Sequence, residues 1–124
     1  MSLLNALMGN ANAIDAQTAT AEVSNVLMQG ETVTHAFKTI RDLIIFTDRR
    51  LLLVDKQGVT GKKIQYHSIP YRMITHFSVS TAGTMDVDSE MIVAVQGGGV
   101  FQKDFGRGVD ILGIQQVLAS KVFG

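Results

Sequence analysis

Hydrophobic and polar positions alternate differently along successive stretches of this chain. The densest apolar region is Arg41 to Lys56, RDLIIFTDRRLLLVDK. There Leu43-Ile44-Ile45-Phe46 and Leu51-Leu52-Leu53-Val54 flank the polar stop Thr47-Asp48-Arg49-Arg50. Each run is too short for a globular helix and rich in sheet-favouring side chains, which predicts two strands. Asp48, able to bond its own backbone, predicts a tight turn between them. Both faces of this hairpin are apolar, so both need cover.

The flanking segments show period two. Glu31 to Ile40 is predicted as a half-buried strand, with Val33, His35 and Phe37 on one face and Thr34, Ala36 and Lys38 on the other. Arg41-Asp42 links it to the hairpin. Lys62 to Ile69 is a further strand, with Ile64 and Tyr66 opposite Lys63, Gln65 and His67, and the single proline, Pro70, ends it. Pro70 to Met73 reads as a turn or one helical turn. Ile74 to Ser80, Met91 to Gln96 and Val100 to Phe105 complete seven strands. Thr81-Ala82-Gly83 breaks the first of these three, and Gly97-Gly98-Gly99 turns the second into the third. In the seventh, Phe101 and Phe105 face opposite to Gln102 and Asp104.

At both ends the period becomes helical. Ser2 caps a short turn carrying Leu3, Leu4, Leu7 and Met8, which Gly9-Asn10 ends. Asp15 or Thr18 caps a second helix through about Gln29, stopped by Gly30, with Ala19, Val23, Val26 and Leu27 on one face. This arm is either a docked extension or a contact with a neighbouring subunit. From Val109 onward Ile111, Ile114, Leu118 and Val122 share a helix face widened by Val117, and Asp110 and Lys121 suit the helix dipole. Two segments are expected: a helical arm, 1–29, and a β-rich domain, 30–124. Seven antiparallel strands form a meander or a bent, partly closed barrel, and the terminal helix plugs its open end. Its stripe of Ile111, Ile114 and Leu118 is expected to meet Phe46 and Leu52.

Composition narrows the function. The chain has 124 residues and 46% hydrophobic content, enough for one folded domain. Eleven basic and eleven acidic residues give zero formal net charge, which argues against nucleic acid and against a broad anionic-lipid footprint. Cysteine is absent, which excludes disulfides and thiolate chemistry. The first basic residue is Lys38, so neither a secretory nor a transit signal is expected and a cytoplasmic location is.

The segment RDLIIFTDRRLLLVDKQGVTGKK, followed by YHSIPYRMITHFSVSTAG, DVDSE and VDILGIQQVLA, resembles the bacterial PH-like (pleckstrin homology-like) domain family, a family of unknown function. The likeness runs from about Leu27 to the C-terminus and is densest at Asp55-Lys56-Gln57-Gly58 and Ser68-Ile69-Pro70-Tyr71. It implies a PH-like seven-stranded barrel capped by a C-terminal helix, mainly β with α, and no enzymatic activity. It also implies cyclic homo-oligomers joined edge to edge, a pentamer being the expected size, that serve as a protein–protein interaction platform.

No constellation in the chain competes strongly with that expectation. Candidate positions for oligomer or partner contacts are Val23, Val26, Leu27, Thr34, Lys38, Gln65, His67, Thr75, Phe77 and Val79. The alternative is a peripheral domain for anionic lipid, using Lys56, Lys62 and Lys63 as anion-binding candidates; the Arg41-Asp42 link is too short to cradle a headgroup. Asp86, Asp88 and Glu90 begin like a calcium loop, but Met91 stands where the turn glycine belongs and Gly97 where the bidentate glutamate belongs. His35, His67 and His76 lie on three different strands, with no metal-binding spacing. The glycines at 97–99 and 106–108 do not form a dinucleotide fingerprint. No catalytic residue, metal or cofactor is expected.

Overall fold

Strand-forming runs and their turns build two antiparallel sheets. The computed structural model describes residues 13–39, 42–58, 60, 62–81, 88–106 and 108–124. The turn expected at Ser2 to Asn10, Arg41 of the first link, the break at Ala82-Gly83 and Asp86 of the loop before the sixth strand lie outside these residues. The elements are α1 (Ala16–Glu22), β1 (Val33–Lys38), β2 (Leu43–Thr47), β3 (Arg50–Gln57), β4 (Lys63–Pro70), a 3-10 turn (Tyr71–Met73), β5 (Ile74–Ser80), β6 (Ser89–Val95), β7 (Val100–Phe105) and α2 (Ile111–Phe123). Mainly β with two helices, this is the expected fold class. The sheet is not one closed barrel: β1-β2-β3-β4 form one sheet and β5-β6-β7 another. The division falls where Pro70 removes a backbone donor and the 3-10 turn interrupts the ladder. Two compact units result, Ala13–Pro70 being one and Tyr71–Gly124 belonging to the other.

In the first unit the hairpin register sorts the core by face. Leu43 pairs with Val54 and Ile45 with Leu52, while Ile44 pairs with Leu53 and Phe46 with Leu51. Residues directly opposite share a face, so these pairs alternate between the two sides of the sheet. All eight side chains are buried. The first face (Leu43, Ile45, Leu52, Val54) forms one cluster with Ala19 and Val23 of the arm, together with Val33 and Ala36. Leu52 is therefore covered by the arm, not aligned with Phe46, which points to the other face beside Phe37 in an edge-to-face ring contact at 6.1 Å.

Asp15 caps α1, accepting from the Thr18 amide at 3.3 Å, but the helix ends at Glu22 rather than near Gln29. Beyond it Val26 and Leu27 still pack on the same cluster. A bulge between Val33 and His35 shifts the β1 register. It takes Val33 off the side of Phe37 and puts it with Ala36 in the arm-side cluster. The hairpin turn is held by Thr47, whose hydroxyl accepts the amides of Arg49 and Arg50 at 3.0 and 2.9 Å. Asp48 instead accepts the Thr32 amide at 2.9 Å.

In the second unit, Asp110 caps α2 by accepting the Gly113 amide at 3.0 Å. Ile111, Ile114 and Leu118 are its buried stripe. Within this unit the helix packs mainly on β5, and also on β6 and the 3-10 turn. Gly97 and Gly98 both adopt positive φ, 96° each, in the β6–β7 turn, which requires glycine. The β7 alternation stands as expected, with Phe105 buried and Gln102 and Asp104 exposed.

Candidate functional site

A concentrated polar cluster in the first unit joins the arm to the sheet. Glu31 stands at the base of β1, and its side chain is fully buried. Arg50, at the start of β3, donates to it twice: Nε to Oε2 at 2.8 Å and one terminal nitrogen to Oε1 at 2.9 Å. Thr47 Oγ1 donates to Oε2 at 2.7 Å and the Met28 amide to Oε1 at 3.0 Å. The same guanidinium reaches the Val26 carbonyl at 2.6 Å and Ser68 Oγ at 2.7 Å. Burial by itself raises the Glu31 carboxyl. The hydrogen bonds from Arg50, Met28 and Thr47, with the Arg50 charge, outweigh it and hold the group at about 2. A carboxylate so saturated has no lone pair left for a substrate or metal, so the cluster is a lock, not a reaction centre. Sequence reading missed it. The available signal was an acid just before a strand, followed by a turn with two arginines.

Open surface lies at the strand edges. β1 is shielded on its outer side, where Ala13 bridges Phe37 and the Ile14 amide donates to the Ala36 carbonyl at 3.0 Å. Among the described residues β4 has a strand partner only in β3, and β5 only in β6. The exposed run at the start of β4 is Lys63-Ile64-Gln65, with Ser68 exposed further on, and Gln65 accepts from Gln57 at 3.2 Å. On β5, Thr75, His76, Ser78 and Ser80 are exposed, and Phe77 and Val79 half-buried.

The positions expected to make contacts differ in exposure and in their bonds within each unit. Val23 is fully buried in its own chain, while Val26 and Leu27 are half-buried against the same cluster. Thr34 is half-buried and its hydroxyl donates to the Phe46 carbonyl at 3.1 Å. Lys38 and Gln65 are exposed, and His67 is half-buried. Thr75, Phe77 and Val79 do not share a face. A second bulge, between Ile74 and His76, takes Thr75 out of the alternation, and its hydroxyl donates to the Ala94 carbonyl at 3.2 Å. Among the anion-binding candidates, Lys56 Nζ lies 3.5 Å from Glu22, while Lys62 and Lys63 are exposed. Among the described residues no group of three or more His, Asp or Glu is placed to hold a metal. No described helix is long and apolar enough to cross a membrane.

Seven antiparallel strands followed by a helix define a PH-like domain, and comparison with known proteins agrees. The Bacterial PH domain family matches residues 2–122, so the chain belongs to that family, and the match includes the arm. The chain is similar to the uncharacterized protein YjqA of Bacillus subtilis (strain 168), 46% identical over 122 residues, covering 97% of this chain and 98% of the relative. It is similar to the crystal structure of a pleckstrin homology domain from Shewanella amazonensis SB2B, with 48% identity, a TM-score of 0.82 and coverage of 98% and 99% of the two chains. A DUF1696 family protein with a pleckstrin-homology domain from Shewanella loihica PV-4 matches at 42% identity and a TM-score of 0.78, covering 92% of this chain and 98% of that one.

Proposed function

We propose that this PH-like domain is a non-catalytic interaction module that self-associates through its sheet edges into a cyclic homo-oligomer and presents a polar strand surface to a protein partner. The observation that supports this is the contrast between interior and edge. The buried polar cluster is consumed by internal bonds, while among the described residues β4 and β5 each carry a strand partner on one side only. Unpaired edge groups recruit another chain readily. β4 is the edge assigned to self-association, because Ile64 is 38% exposed in the middle of its uncovered stretch. Zero net charge leaves little repulsion between copies. Light scattering coupled to gel filtration tests the reading. A discrete oligomer, a pentamer being the expected size, that dissociates in Ile64→Lys supports it; a monodisperse monomer at micromolar concentration overturns it.

A further inference from the structure

The last helix has two sides of opposite character. Ile111, Ile114 and Leu118 are buried, and within its own unit the helix packs on β5, β6 and the 3-10 turn. On a separate line lie Leu112, Gln116, Ala119 and Phe123, which the helical repeat sets on one face. Leu112 is 59% exposed and Phe123 76%. Gln116 is exposed and Ala119 half-buried. The Phe123 ring meets Phe77 at 5.6 Å between centres and is otherwise open. The outer side of a helix normally carries charge. This one carries none: between Ile111 and Phe123 the only ionisable side chain is Lys121, which lies off the line with Nζ 5.9 Å from the centre of the Tyr71 ring. Two large apolar side chains about three turns apart, with no charge between them on that face, form a surface without a cover.

The order of the line says what fits it. Its spacings are four, three and four residues, the same read from either end. A second copy laid antiparallel therefore sets Leu112 against Phe123 and Gln116 against Ala119, and both contacts recur across the two-fold axis. Large side chains meet at the two ends, and the small Ala119 lets the helices approach in the middle. The two Gln116 amides flank the axis, each with a donor and an acceptor to offer. Antiparallel helices also bring opposite dipole ends together. A charged partner finds nothing to read on this face. A membrane-surface helix carries lysines or arginines beside its apolar side, whereas α2 has only Lys121, held at Tyr71.

We infer that the outer face of α2 pairs two-fold with the same face of a second copy, and that this contact joins one ring to another. The pairing is separate from the edge contact of β4; its joining of rings rests on the self-association reading. Leu112 and Phe123 together hold on the order of 200 Å² of open apolar surface per copy. A lone pair thus falls well short of the roughly 1,200 Å² of a stable interface. Several such pairs acting together between two rings are firm where one is weak. The smallest closed product is two rings, each copy using its α2 face once.

The test uses the full chain. Light scattering over a wide range of concentration is expected to show the mass rising to twice that of one ring. Leu112→Glu and, separately, Phe123→Lys are each expected to halve that mass to a single ring with the circular dichroism spectrum unchanged. The two positions lie too far apart on one helix to pair with each other, but antiparallel packing brings them together across the axis. The double variant is therefore expected to regain the doubled mass, and to lose it again at high salt. A ring whose mass neither single variant changes overturns the pairing, whether another part of the chain or a lipid surface then covers the face. Failure of the double variant to regain the mass overturns the antiparallel register. A monomeric parent sinks the self-association and the joining of rings with it, whereas a single ring at every concentration sinks only the α2 contact.

Discussion

The two sheets open alike and then diverge. Each begins with a β-branched apolar residue followed by Thr-His, Val33-Thr34-His35 in β1 and Ile74-Thr75-His76 in β5. In each the chain bulges there, and the threonine hydroxyl donates to the carbonyl of the residue opposite the histidine: Phe46 at 3.1 Å and Ala94 at 3.2 Å. After this shared start, β2 and most of β3 in the first sheet are buried on both faces, and Glu31 and Arg50 lock the arm across one of them. The second sheet keeps the row Ser78, Ile92 and Gln102 wet, Ser78 and Gln102 being exposed and Ile92 half-buried, while Ala94 two residues further along the same face is buried. One local device thus serves two ends. Where both faces are covered, a sheet supplies stability; where a row and an edge stay wet, it offers a surface.

If that division holds, the largest effect belongs to the first sheet. Phe46→Ala is expected to cost roughly 3–5 kcal/mol by chemical denaturation, against under about 1 kcal/mol for Ile92→Ala in the wet row. Equal costs would break the comparison. Removing the lock comes next. Glu31→Gln leaves Arg50 without its buried countercharge and is expected to cost about 3 kcal/mol. The lock has a pH signature. The Glu31 carboxyl sits at about 2 in the folded chain against 4.5 as the ordinary value. Its contribution is therefore complete above about 4.5 and is lost as pH falls toward 2. The melting temperature of the parent chain should drop through that window more steeply than that of Glu31→Gln; parallel curves would remove the lock from the account.

Smaller effects sharpen the symmetry between the bulges. Thr34→Val and Thr75→Val each remove the bond to the opposite carbonyl, Thr34→Val also the exposed bond to His35 Nδ1 at 3.2 Å, and each is expected to cost about 1 kcal/mol. A large difference between them would mean that the bulges are not equivalent. The smallest expected effect concerns lipid. Flotation with anionic liposomes should show no salt-sensitive binding, and Lys62→Ala with Lys63→Ala should leave the result unchanged. Binding lost in that variant would move the function toward the membrane surface.

The sequence made the strands legible because period-two runs and turn residues are local. Leu43 to Phe46 and Leu51 to Val54 announce a hairpin on their own, and Asp110 with Ile111, Ile114 and Leu118 announces the last helix. What stayed hidden depends on distant partners. Glu31 and Arg50 are separated by 19 positions, and neither alone looks unlike a solvated charge. A bulge adds one residue without changing composition, so strict alternation along β1 puts Val33 on the wrong face. The arm helix is shorter than the spacing predicts because Val26 and Leu27 keep helical spacing while packing from a turn.

The lock also fixes an order of assembly. Seven residues of helix cannot persist alone in water, and the groups that hold the segment after α1 sit on β2, β3 and β4, on Thr47, Arg50 and, through Arg50, Ser68. Until those strands have met, nothing is in place to receive the N-terminal stretch, so it joins last and leaves first. Amides of Ala19 and Val23 should accordingly exchange with deuterium through a partial opening that leaves Ile45 and Leu52 protected.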